Sequence, residues 1–121
     1  MMVSLLAVAL GGALGASIRF GVNQLVVNVF NAPLFWGTLF VNVVGCYLMG
    51  QAYHYLQTHA SISEPLRLFV TVGLLGALTT WSTFSMETVM MIQNDQLTKA
   101  VIYTLVTTFC CFFAFWLGVK S

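Results

Sequence analysis

From Phe35 to Gln57 the chain runs 23 residues without a charged side chain. As a helix that stretch is about 35 Å long, enough to cross a hydrocarbon core of about 30 Å. Three more apolar segments of similar length accompany it, and the whole chain is only 6% charged against 60% hydrophobic. A soluble domain carries about a quarter charged residues. So little charge cannot cover a water-facing surface. The 121 residues therefore read as one all-α membrane domain, residues 1–121, with four transmembrane helices.

The spans are read as residues 2–30, 35–57, 65–95 and 98–119. Asn31-Ala32-Pro33, the polar loop Thr58 to Glu64 and Asn94-Asp95-Gln96 separate them. Glu64 and Pro65 suit the first turn of a helix. The N-terminus has no basic region and enters a full-length span directly, so no cleavable signal peptide is expected. A net charge of +1 offers no surface for nucleic acid. Cys46, Cys110 and Cys111 lie inside apolar segments at spacings that match no zinc motif, and read as packing residues.

The third segment is too long for one upright helix. Residues 65–95 would extend about 46 Å. Its middle holds Gly73-Leu74-Leu75-Gly76-Ala77-Leu78-Thr79-Thr80-Trp81-Ser82-Thr83-Phe84-Ser85, with two glycines and a run of hydroxyls. In lipid a backbone leaves the helix only where it is buried in protein or lines a wet cavity. Interrupted spans point to ion or substrate sites. A break is expected near 76–80, and it is expected to build an ion site.

Four spans put both termini on one side. Arg67 and Lys120 fall on the terminal side, with Lys99 opposite and Arg19 leaning toward Lys99, so loop charge sets almost no orientation. A chain without a preferred orientation inserts both ways and pairs with its inverted copy, which builds an inverted repeat from two subunits.

An ionisable or amide side chain inside a span is a functional candidate. Arg19 either snorkels to an interface or fixes a positive charge in a wet vestibule, where Asn23 one turn on would extend a polar opening. Asn42 either bonds another helix or donates to a partly dehydrated anion. Trp81 and Phe84 share a helix face; they pack, or turn positive ring edges to an anion. Thr79, Thr80, Ser82 and Thr83 bond back to their own helix or supply donors. Glu87 is a gate, a proton site or an interfacial residue. Tyr103 and Thr107 form a polar pair on the fourth span.

Gly12-x-x-Gly15-Ala16-x-x-Arg19-Phe20, Gly37-Thr38-Leu39-x-Val41-Asn42-x-x-Gly45 and Gly73-x-x-Gly76-x-x-Thr79-Thr80-x-Ser82-Thr83-Phe84-Ser85 together resemble the Fluc (CrcB) fluoride-channel family. The resemblance covers essentially the whole chain. It implies an antiparallel, dual-topology homodimer in a bacterial inner membrane with two fluoride pores. It implies a structural Na+ held by backbone carbonyls of Gly76 and Thr79, and no organic cofactor. It assigns Asn42, Trp81, Phe84, Ser82, Thr83, Tyr103, Thr107 and Thr38 to the pore and Arg19 to the vestibule, where Asn23 joins it by its spacing, and leaves Glu87 as a possible gate. Two positions depart from the family pattern. Trp81 stands for the first of two phenylalanines, and Cys111 stands where a hydroxyl is common.

The implied activity is passive export of cytoplasmic fluoride down its electrochemical gradient. No nucleophile–base pair, metal-ligand cluster or phosphate loop is apparent, so an enzyme is not expected. The alternative is a small four-span multidrug or cation exporter, which would need an intramembrane acid to exchange protons. Glu87 is the only acid in a pore-like position.

Overall fold

The computed structural model describes residues 1–121. Helix α1 spans Met2–Val29, α2 Leu34–Thr58, α3 residues 64–78, α4 Trp81–Gln93 and α5 Leu97–Lys120. Four stretches are long and apolar enough to cross a membrane, with α3 and α4 together making the third.

The connections follow from local chemistry. Asn31 and Asp95 take left-handed backbone angles, φ 52° and 60°, a conformation that Asn and Asp tolerate better than most residues. Ser63 caps α3 by accepting from Leu66 N–H at 3.4 Å, one residue ahead of Glu64 and Pro65. Two wide, π-type turns interrupt the α-helical register, at Leu25–Val29 and Phe69–Leu75. Thr79 (φ −87°, ψ 157°) and Thr80 (φ −151°, ψ 120°) lie in extended conformation between Leu78 and Trp81. Thr80 then caps α4, its hydroxyl accepting from Thr83 N–H at 3.1 Å.

Two parallel pairings organise the bundle. α1 lies on α3 with its buried Gly11 and Gly15 against the backbone of Phe69, Gly73 and Leu74. α2 and α5 share the most extensive seam, where Gly50 meets the Phe115 carbonyl and Gly118 meets the Tyr47 carbonyl. Small residues let helices approach closely where no hydrophobic driving force separates protein from lipid. The interior is thin. One cluster joins Val41, Leu75 and Leu78, and another joins Phe84, Met91, Ala100 and Tyr103. Only 19 of 121 residues are buried, so most of the apolar surface is left for lipid or another protein.

A methyl group at Gly50 would strike the Phe115 backbone, whereas one at Gly21 meets nothing within 4 Å. Gly50→Ala is expected to lower stability by about 1–3 kcal/mol, the usual cost of overpacking. Gly21→Ala is expected to be neutral or mildly stabilising through helix propensity. Thermal unfolding in detergent, followed by tryptophan fluorescence, checks both; equal midpoints for the two variants would refute the close α2–α5 contact.

Candidate functional site

The extended pair Thr79–Thr80 frees backbone groups in the middle of a span, and side chains from two other helices take them. Asn42, buried on α2, accepts from Thr80 N–H at 2.8 Å and donates its Nδ2 to the Thr80 carbonyl at 3.1 Å. It thus meets both polar groups of one peptide residue, as a neighbouring strand would. Arg19 on α1 donates its Nε to the Ala77 carbonyl at 3.0 Å.

The carbonyls of Gly76 and Thr79 are among those released. In an unbroken helix the Gly76 carbonyl would accept from Thr80 N–H, which here goes to Asn42. The Thr79 carbonyl would accept from Thr83 N–H, which here goes to the Thr80 hydroxyl. Gly76 lies exposed on the bundle surface. The Thr79 hydroxyl bonds back to the Leu75 carbonyl at 3.1 Å, so the backbone oxygen of Thr79 is the group left for a ligand.

Beside this pair lies a groove of about 570 Å³. Asn42 and Cys46 of α2, Thr79, Thr80 and Trp81 of the third span, and Thr107 and Cys111 of α5 line it. Asn42 has used its oxygen and one of its two amide hydrogens, so one N–H stays free for a guest. Thr107 Oγ is buried without any partner. A buried, unbonded hydroxyl costs about 1–3 kcal/mol unless something occupies it. The groove therefore offers neutral donors and no charge among its lining residues.

A second polar cluster sits further along the same seam. Thr38 donates to Glu87 Oε2 and Tyr103 donates to Glu87 Oε1, each at 2.8 Å and all three buried. Both carboxyl oxygens thus have a donor. Phe84 is buried and meets the Tyr103 ring edge-on at 5.1 Å between centroids. Trp81 touches Phe84, with centroids 5.0 Å apart, yet is 74% exposed and faces outward.

Not every residue singled out in the sequence joins these clusters. Arg19 and Asn23 do not form one polar opening: Arg19 turns to Ala77, while Asn23 packs against Gly37 with its Oδ1 buried and unbonded. Ser82 is exposed, its hydroxyl 3.2 Å from that of Thr80. Thr83 contributes its N–H to the Thr80 cap. Three residues were not picked out for the roles they have: Thr80 as the anchor of Asn42, and Cys46 and Cys111 as groove walls. The helix-capping pattern of Thr80 followed by Thr83 was a legible signal for the first.

Residues 6–119 match the model of the family described as CrcB-like protein, Camphor Resistance (CrcB). The chain belongs to that family. It is 45% identical over 112 residues to a fluoride-specific ion channel FluC of Hahella chejuensis, which covers 93% of this chain and 88% of the relative. It is 41% identical over 117 residues to the proteins of that name from Shewanella piezotolerans and Shewanella halifaxensis, covering 97% of this chain and 94% of each. With four spans of this length and such relatives, this is a multi-pass membrane protein of an ion-channel family and not an enzyme. Those names also speak against the coupled-exporter alternative.

Removing a donor from the acid cluster is a direct check on it. Tyr103→Phe keeps the ring and leaves Glu87 Oε1 without its partner. It is expected to cost about 1–3 kcal/mol of stability, the range for a buried hydrogen bond to a carboxyl group. An unchanged unfolding midpoint in detergent would show that the bond contributes nothing.

Proposed function

We infer that this chain is a fluoride-selective channel that lets cytoplasmic fluoride leave a bacterial cell passively, across the inner membrane and down its electrochemical gradient. The observation that carries the reading is the near full-length similarity to proteins named fluoride-specific ion channels. The groove supports it. Fluoride is small and holds its water tightly, so a conduit must replace that water with close donors. The free Asn42 N–H and the unpartnered Thr107 hydroxyl are such donors, and neither would trap the anion with a full charge. Phe84 and Trp81 add ring edges, and Thr38, Tyr103, Ser82 and Thr83 extend the hydroxyl path. Larger halides hold their water less tightly and would gain less from such donors.

One chain makes a groove rather than a tunnel. The reading therefore includes a second copy, inserted the other way up, that closes the conduit and repeats it. Balanced loop charges allow that dual insertion. The same pairing would bring two exposed third spans together. The released carbonyls of Gly76 and Thr79 fit a hard monovalent cation, because oxygen dipoles without net charge suit Na+. Gly76 and Thr79 of both copies would hold it, and it would supply a fixed positive charge at the centre of the dimer. Arg19, tethered to Ala77 next to Gly76, would lend positive potential at the approach, and Glu87 would stand at the far end of the path.

Purified protein in liposomes is expected to release trapped fluoride rapidly and trapped chloride hardly at all, read with ion-selective electrodes. Equal rates for the two anions would overturn the reading. Asn42→Ala is expected to slow fluoride release by about 100-fold or more, since it loses a donor and also orphans both polar groups of Thr80 in a low-dielectric site. Near-normal release would remove Asn42 from the path.

Thr79→Ala separates backbone from side chain at the cation site. The proposed ligand is the carbonyl, so the variant is expected to retain Na+-dependent activity within a few-fold, since the lost hydroxyl only bonds back to Leu75. Loss of Na+ dependence would assign the side chain instead.

A further inference from the structure

α2 and α5 run parallel in a constant register. Thr38 and Tyr103 reach the same carboxyl, Asn42 and Thr107 line the same groove, and Gly50 touches Phe115; members of each pair are 65 residues apart. The same step sets Cys46 beside Cys111. Both thiols line the same groove, one turn from Asn42 and Thr107. Both are half-buried and neither is in a disulfide, while Cys110 is exposed on a different face.

We propose that Cys46 and Cys111 form a two-thiol site for a thiophilic divalent cation that accepts linear coordination, the class to which Hg2+ belongs, and that a cation bound there obstructs the groove. Each sulfur exchanges its proton for a bond to the metal. One divalent cation and two thiols give one S–metal–S bridge and two protons, which leave to water in the groove; no oxidation state changes. The bridge is neutral, which matters where net charge is expensive. Zinc would call for four ligands, and no group of three or more metal-binding side chains stands together in this chain. Hard cations prefer oxygen. A pair of sulfurs in a groove whose other polar groups are neutral amides, hydroxyls and carbonyls therefore selects a soft, two-coordinate ion. The obstruction rests on the groove being the fluoride path; the binding does not.

The test titrates purified Cys110→Ser protein with Hg2+ in chloride-free detergent buffer and counts remaining thiols with a small maleimide. One Hg2+ per chain with both thiols consumed is expected. Adding Cys46→Ser or Cys111→Ser is expected to leave a singly held ion that a modest excess of a monothiol strips, under conditions that leave the paired site filled. Two ions per chain, or one ion with a thiol still free, overturns the site. In liposomes, Hg2+ is expected to abolish fluoride release by the Cys110→Ser protein and to spare a variant that also carries Cys46→Ser and Cys111→Ser. Equal inhibition of both, or one bound ion with undiminished release, overturns the obstruction. Absence of fluoride release before any metal is added would instead refute the transport reading, while the stoichiometry still decides the site.

Discussion

In hydrocarbon, a peptide N–H or C=O that leaves its helix finds no water to bond, and each orphan costs several kcal/mol. Asn42 is where this chain meets that constraint. Its carboxamide matches Thr80 donor for acceptor and acceptor for donor, so two extended residues survive in mid-span. Arg19 donates to the Ala77 carbonyl, and the Thr80 hydroxyl accepts from Thr83 N–H. The consequence is selective. These bonds satisfy some of the freed groups and leave the Gly76 and Thr79 carbonyls without their helical partners. An interruption that was merely tolerated would have every group covered.

The parallel α2–α5 seam continues that local event as a groove. At one end glycines draw the helices to backbone contact, and further along larger side chains hold them apart. Between these regimes the facing residues step by four, Thr38 and Tyr103, Asn42 and Thr107, Cys46 and Cys111, so that one helix face collects the polar and sulfur side chains in a line. The opposite faces are apolar and exposed, as a lipid-facing surface must be. Geometry of this kind follows from the 3.6-residue turn: positions four apart stack on one side, and a single close contact sets the register for the rest.

How far this was legible in the sequence depends on the range of the interaction. Four spans were legible because apolar length against bilayer thickness is a local property. The polar candidates were legible because each is anomalous in a span regardless of its partner. What the sequence hid was pairing. Asn42 was left open between bundle bond and anion donor, and it takes neither alternative in pure form: its oxygen and one amide hydrogen bond a helix interruption, and it keeps the other N–H back. Arg19 and Asn23 looked like neighbours because they are four apart, yet one faces α3 and the other α2, since adjacent turns of a helix wedged between two others meet different partners. The π-type turns at Leu25–Val29 and Phe69–Leu75 carry no side-chain signature that distinguishes them from α-helix. Cys46 and Cys111 read singly as packing residues, and only the 65-residue register shows that they face each other.

The exposed side of the third span bears on assembly. Ser82 and Gly76 are exposed, Trp81 presents its indole outward, and the two released carbonyls belong to the same short stretch. Lipid tails offer no hydrogen bonds, so a surface of this kind is stable in a bilayer only when protein, water or an ion lies against it. The exposed aromatics Phe109, Phe113 and Trp116 of α5 are not among the groove's lining residues and supply no such cover. In the proposed inverted dimer a second copy would lie against this stretch, and a cation shared between the two sets of carbonyls would meet acceptors that neither copy can satisfy with donors of its own. On the proposed reading, completing the conduit and covering the released carbonyls are one requirement that the second copy would meet.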